Sequence, residues 1–402
     1  MRERFLLSMI PVVIAGAAVS AGISVSITRT QAQAPVTSAT ASAPTLKTPW
    51  GEPDLQGIWT DEFDTDLQRP AKYTDQEFFT AAQREELDRE RSLLLGRRAT
   101  NPKVVGIVGG YNNAVFMSTK RTGARTSLIV DPPDGRIPPL TAQAGKAIAA
   151  DREFRLALLQ STDTCKNQAV QCRGGKYDPA PSPRRADLAP RYTTERINRY
   201  DGPEDGGRSE RCLTGGLPEF GAFAGGSFRR IVQTPGGISM FYDVGQGQGW
   251  QRNIVTNGSP HLPVNIRQWY GDSRGHWEGN TLVIDVTNFS PKTDYQGSRE
   301  NLHLVERWTR TGPATLEYAV TIDDPTVWTR PWTVKQEFTR QSDEQNRIYT
   351  EPRCIEGNYA FPSLMHAARI AERDFAQGRG PDPATKDTVS IQGDISNDVV
   401  RE

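Results

Sequence analysis

The side chain best suited to acid–base chemistry in this 402-residue chain is His303, in the run Leu302-His-Leu-Val-Glu-Arg-Trp308. An imidazole titrates near neutrality, so a positioned histidine can accept and return a proton at working pH. Asp272 or Asp285 could orient it, and Asp272 or Arg267 could polarise a substrate beside it. In an extended strand His303 shares a face with Val305 and Arg307, while Leu304, Glu306 and Trp308 take the other. A catalytic His303 therefore needs its own face turned toward an enclosed interior. Turned the other way, it is a hydrogen-bonded structural residue.

A second constellation, Gly271-Asp-Ser-Arg-Gly275, matches Gly-x-Ser-x-Gly. The nucleophile elbow of hydrolases requires a strand-to-helix turn under that serine. Here His276-Trp-Glu-Gly-Asn280 and another strand follow, so a glycine-rich hairpin turn accounts better for Ser273. Metal binding would need His261, His276, His303 and His366 to converge with carboxylates, and His303-x-x-Glu306 points to opposite faces of a strand; no metal is expected. Gly245-x-Gly-x-Gly249 precedes Trp250 and a strand rather than a helix, which removes a dinucleotide loop, and no cofactor is expected. What remains is a dense aromatic and arginine set: Tyr242, Trp250, Arg267, Trp269, Tyr270, Arg274 and Trp277. Such a set either fills a core or walls a pocket in which rings bury an apolar ligand and an arginine anchors its polar group.

The elements that must position these residues change character along the chain. Thr74-x-x-Glu77 has the form of a capping box before a charged helix reaching about Leu95, and Thr141–Gln160 has helical spacing. Residues 161–207 are polar and interrupted by Pro, Gly and Arg, as in a surface insertion. From Phe228 onward the period becomes two. Strands are expected at Arg229–Gln233, Ile238–Val244, Gln251–Thr256, Asn265–Tyr270, Thr281–Phe289, His303–Arg310, Thr315–Ile322, Thr333–Arg340 and Arg347–Glu351, with Arg125–Val130 also β-like. Leu316, Tyr318, Val320 and Ile322 alternate with polar neighbours, as do Trp332, Val334, Gln336 and Phe338. One apolar face per strand, with short turns, predicts an antiparallel up-and-down meander closed into a calycin-like β-barrel with peripheral helices. Six of the eight tryptophans fall between Trp250 and Trp332, which places the large apolar area there. The division expected is a signal peptide over 1–34, a linker over 35–48, an N-terminal segment over 49–160 and the insertion over 161–207. A barrel core with a closing helix over 208–376 and a disordered tail over 377–402 complete it.

The N-terminus reads as an export signal: a basic start, the apolar run Phe5–Ala21, then Ala32-Gln33-Ala34 or Ala41-Ser42-Ala43 as cleavage sites. The alternative is an uncleaved anchor reaching about Ile27. A periplasmic or secreted protein, with no stable membrane insertion after cleavage, suits the four cysteines. Three pairings are possible, and spacing favours Cys165–Cys172 with Cys212–Cys354. The precursor carries 48 basic and 48 acidic residues; residues 1–34 remove Arg2, Arg4, Arg29 and Glu3, leaving the body slightly acidic. That balance argues against a nucleic-acid partner, which needs a cationic face. No motif specifies an oligomeric state.

Five segments together resemble a broad family of exported, largely uncharacterised bacterial proteins. They are Pro49–Trp59 (PWGEPDLQGIW), Arg125–Arg136 (RTSLIVDPPDGR), Gly271–Asp285 (GDSRGHWEGNTLVID), Asp324–Trp332 with its flank (DPTVWTRPWT) and Cys354–Tyr359 (CIEGNY). The resemblance spans most of the chain outside the insertion and tail, and it assigns no catalytic residue. Relatives often read Cys-His-Glu-Gly-Asn-Tyr where this chain has Ile355. The barrel architecture is similar to that of calycins such as lipocalins. The expectation is an exported barrel holding a small, largely apolar or aromatic molecule in its cavity. An isomerase, lyase or cyclase using His303 in that cavity, and an envelope protein with no ligand, are the alternatives.

Overall fold

The computed structural model describes residues 46–61, 63–100, 120–208, 210–213, 216–220, 228–245, 248–342 and 359–389. The segment 1–34 expected as a signal peptide, most of the expected linker, the strand expected at 347–351 and Cys354 lie outside them. Twelve strands are described: β1 (Gly57–Thr60), β2 (Phe63–Asp64), β3 (Arg121–Thr122), β4 (Ile129–Asp131), β5 (Phe228–Thr234), β6 (Gly237–Gly245), β7 (Gln248–Val255), β8 (Asp272–Glu278), β9 (Thr281–Thr287), β10 (His303–Gly312), β11 (Thr315–Asp323) and β12 (Trp332–Arg340). The helices are α1 (Ala81–Thr100), α2 (Ala142–Leu159), the single turn α3 (Asp163–Lys166) and α4 (Ala360–Ala376).

Nine strands close a barrel in the order β1-β5-β6-β7-β8-β9-β10-β11-β12, and β1 bonds back to β12. The meander from β5 to β12 follows from alternation and short turns. Pro235-Gly236 joins β5 to β6, with Gly236 at φ 79°, a conformation glycine adopts without strain. Two features depart from the expected all-antiparallel meander. The closing strand β1 comes from the N-terminal segment, where Trp59 faces Arg229 and Arg340 on its two neighbours. Also, β7 and β8 run parallel, meeting at Val255 and Arg274. A parallel neighbour needs a long return connection, and residues 256–271 supply it. Asn265–Tyr270, expected as a strand, belongs to this return and makes only an isolated bridge from Gln268 to Phe289. The strand is Asp272–Glu278 instead, so Ser273 sits within β8 opposite Val286 rather than in a hairpin turn.

The inward face is the expected one: Leu304, Glu306, Trp308 and Arg310 of β10, Leu316, Tyr318, Val320 and Ile322 of β11, and Trp332, Val334, Gln336 and Phe338 of β12 are all buried. Among the described residues this inward face is filled with aromatic and ionic contacts. Trp308 lies 4.2 Å from Tyr318 and 5.8 Å from Phe338 between ring centroids. Arg252 pairs with Glu306, which also accepts a 2.8 Å hydrogen bond from Tyr318 Oη. Arg229 lies over the rings of Phe338 and Tyr242. Burial lowers the affinity of Arg252 for its proton, but the Glu306 carboxylate more than offsets this. Burial holds the Tyr318 hydroxyl well above the usual phenol range.

Around the barrel, α2 begins at Thr141, whose Oγ1 accepts from Ala144 N and donates to Thr326 O at 2.8 Å. The capping box lies at Thr80 and Gln83, not at Thr74 and Glu77. Thr80 Oγ1 accepts from Gln83 N, and Gln83 Oε1 accepts from Thr80 N at 2.8 Å. Within the insertion, Cys165 and Cys172 are disulfide-bonded. Cys212 is also disulfide-bonded. Helix α4 reaches the insertion, where Arg369 Nη2 donates to Tyr200 O at 2.6 Å. Residues expected in the tail dock there too: Ser161 Oγ donates to Ala384 O, and Ala384 is buried. Among the described residues, no helix is long and apolar enough to cross a membrane.

Candidate functional site

Strands β8, β9 and β10 place three ionisable residues in adjacent positions on the outer wall. Asp285 on β9 lies opposite Arg274 of β8 and Val305 of β10, and Asp272 lies opposite Thr287. Because the buried face of β10 starts at Leu304, His303 is turned outward, away from the packed interior. The sequence-based condition for a base inside the barrel is not met. His303 instead bonds Asp285 through Nε2 at 2.8 Å, and its Nδ1 makes no hydrogen bond among the described residues. That bond holds the His303 imidazole above its ordinary value and, with His261, the Asp285 carboxyl below its own, against the opposing effect of partial burial in both cases.

His261, which sequence reasoning left among scattered histidines, completes a continuous chain. From the return connection its Nδ1 lies 2.8 Å from Asp272 Oδ2 and its Nε2 lies 2.9 Å from Asp285 Oδ1. Arg274 pairs with the buried Asp272 at 3.1 Å and donates to Pro260 O. The order Asp272–His261–Asp285–His303 thus runs along the wall. Each histidine is oriented by a carboxylate, and His303 keeps a nitrogen open, the arrangement of an oriented base. Only the parallel β7–β8 pairing brings His261 here. No sequence signal short of that topology places it beside Asp285. Among the described residues, no three His, Cys, Asp or Glu side chains are grouped to hold a metal ion.

The expected ligand set is dispersed. Tyr242 and Tyr270 sandwich Trp250 at 4.1 and 4.0 Å, a stack that ties the return connection to the barrel. Burial pushes both tyrosine hydroxyls up to about 12. Arg267 donates to Phe289 O and Glu300 O, and Trp277 packs against the core. Trp269 alone of the set lines a cleft, at the barrel end where β9 finishes and β10 begins. Its other walls include Phe289, Tyr295, Leu302 and Leu217, with Arg208 and Asp294 among the polar lining, and its cavity volume is about 20 Å³, the rest of its space being open to solvent. Tyr295 stacks on Trp332 at 6.2 Å. Its hydroxyl is buried and makes no hydrogen bond within ordinary distance and angle among the described residues, with the Gln296 side chain near enough to act on it. Asp294 is already held by Arg299 at 2.7 Å, whereas the Arg208 guanidinium makes no ion pair among the described residues.

No family model matches the chain, and no curated protein matches it. Among solved structures, a mutant of the fluorescent protein UnaG is similar over 29% of this chain and 73% of that one. The identity is 14% and the TM-score 0.19, too low to bear on function.

Proposed function

We propose that the protein is exported and binds a small, largely apolar or aromatic organic molecule, at the barrel-end cleft rather than within the barrel. The observation that carries this is the buried, unpaired Tyr295 hydroxyl in an aromatic-walled cleft. A buried donor without a partner costs about 1–3 kcal/mol, which a ligand acceptor would recover. Trp269, Phe289 and Leu302 supply apolar burial, and Arg208 supplies an anchor for a carbonyl, hydroxyl or carboxylate. The basic start and apolar run at the N-terminus, with the disulfides, support export.

Titration with the neutral fluorescent probe N-phenyl-1-naphthylamine tests the cleft. Binding should saturate, and Trp269→Ala should weaken it about tenfold, the loss of one buried aromatic wall. Mass spectrometry of molecules that co-purify would then identify the natural ligand. A second reading, acid–base turnover, is favoured by the open Nδ1 of His303 beside Asp285. If His303→Ala turns over the identified ligand as fast as wild type, that reading is wrong. A protein that binds neither probe nor any co-purifying molecule would leave the structural envelope role.

A further inference from the structure

The return connection starts at a point where a reactive sequence meets an unguarded backbone. The amide carbon of an asparagine lies one five-membered ring away from the backbone nitrogen that follows it. Glycine, with no Cβ, hinders closure of that ring least. Asn257-Gly258 is the single Asn-Gly step of the sequence, and it forms the exposed bend by which the chain leaves β7. Thr256 N donates to Gly236 O at 3.0 Å, which holds the bend against the β5–β6 turn. Asn257 Oδ1 accepts from Ser259 N at 3.0 Å. Asn257 Nδ2 and the Gly258 N–H make no hydrogen bond among the described residues. Gly258 has φ 78°, and a Cβ placed on it would meet nothing within 4 Å. Asp-Gly steps can close the same ring, but here each of them is guarded. Gly135 N donates to Pro132 O at 3.0 Å, Gly206 N to Pro203 O at 3.3 Å, and Gly202 N to Asp205 Oδ2 at 3.1 Å.

We propose that Asn257 is a site of spontaneous covalent modification, converted through a succinimide to isoaspartate and aspartate, and that the folded bend assists the conversion. The Gly258 nitrogen loses its proton to water and attacks Cγ of Asn257. As the C–N bond forms, negative charge gathers on Oδ1, and the Ser259 N–H already stands 3.0 Å from that atom to stabilise it. Nδ2 takes a proton from solvent and leaves as ammonia. Water then opens the ring. Addition at Cγ restores the ordinary backbone and leaves an aspartate. Addition at the backbone carbonyl carbon leaves the chain running through the side chain, one atom longer. Over both steps one water is consumed and one ammonia released, with no oxidation or reduction. The aspartate product keeps the bend, because a carboxylate accepts from Ser259 N as the amide does. The isoaspartate product lengthens the chain just ahead of Pro260, whose carbonyl accepts from Arg274 Nε at 2.8 Å. The modification therefore acts at the root of the return connection.

The test incubates the whole folded chain, and the same chain held unfolded in guanidinium chloride, at mildly alkaline pH, and follows Asn257 by peptide mass spectrometry. Conversion in the folded chain should be about two- to tenfold faster than in the unfolded one, the effect of one ordinary hydrogen bond made to the developing charge. Both isoaspartate and aspartate should appear, separable by chromatography, and an isoaspartyl-specific methyltransferase should label the first. Asn253 and Asn280, exposed and followed by residues that carry a Cβ, should stay unchanged over the same period. Gly258→Ala should slow the conversion about tenfold or more in both states, a comparison that does not depend on the variant keeping the native bend. Asn257 that persists in the folded chain, or converts more slowly there than in the unfolded chain, overturns the proposal. Aspartate as the sole product shows direct hydrolysis of the amide and overturns the succinimide route.

Discussion

At the scale of residues, His303 and Asp285 couple stability to pH in opposite directions. The His303 imidazole, held above its ordinary value by its bond to Asp285, contributes stability that is whole below its unfolded value and disappears as pH rises through the folded one. Asp285, held below the usual carboxylate range chiefly by the same bond, contributes above its unfolded value and loses this as pH falls through the folded one. The pair therefore acts between the carboxylate range and neutrality. Both side chains are 39% exposed, so after solvent screening the pair contributes about 0.5 kcal/mol. His303→Gln should lower the melting temperature at pH 5.5 and leave it unchanged at pH 9. A deficit of equal size at both would show that the bond is not responsible.

The Arg252–Glu306 pair inside the barrel is a different case. With Glu306 fully buried, Arg252→Met strands a carboxylate in the core and should cost about 3–5 kcal/mol. Arg252→Met with Glu306→Gln should regain most of that in a chemical denaturation series. The inward position of Glu306 is legible in the sequence as an interruption of an apolar stripe. Its partner is not, because the two residues are 54 positions apart and meet only across the barrel.

At the scale of elements, the segment Pro49–Trp59 owes its form to closing the barrel. Gln233 Nε2 donates to Pro53 O, Arg310 Nη1 donates to Asp54 O, and Trp59 Nε1 donates to Leu55 O. The chain is thereby delivered as β1 between β5 and β12. Trp59→Ala removes a fully buried ring at the seam and should cost about 3–5 kcal/mol, with near-UV dichroism lost before far-UV. Thr141 acts on a smaller scale. As the cap of α2 and a donor to the β11–β12 connection, its replacement by Ala should cost about 1–2 kcal/mol; an unchanged unfolding midpoint would argue against the cap. Helix α2 was legible within a residue at either end, since Thr141 precedes a regular apolar spacing. The return connection was not. Asn265–Tyr270 has the residue types of a strand, but its backbone partners are taken by the parallel approach of β8 to β7.

At the scale of the whole molecule, the barrel and the insertion are stabilised by different means. The barrel relies on a continuous aromatic core. The insertion packs on α2 through small clusters, Ile197 with Phe154 and Leu158, and the two cysteines with Leu159. The Cys165–Cys172 bridge closes a short loop, which stabilises by about 2–3 kcal/mol in the chain-entropy model. Cys165→Ala with Cys172→Ala should open the insertion to proteolysis near residue 170 while the tryptophan environment of the barrel is retained. Loss of both together would mean that the two fold as one cooperative unit.

The amino-acid sequence by itself determined the class of fold, the inward faces of β10 to β12, the start of α2 and the pairing of Cys165 with Cys172. Each depends on residues close in sequence, through period-two alternation, helix capping or a short loop. The tertiary structure alone decided that β1 closes the barrel, that β8 lies parallel to β7, that the interior is filled, and that His261 joins Asp272 to Asp285. These rest on contacts between distant segments. Burial and backbone hydrogen bonding are satisfied by whichever strand arrives beside another, and alternation is the same whether the neighbour runs parallel or antiparallel.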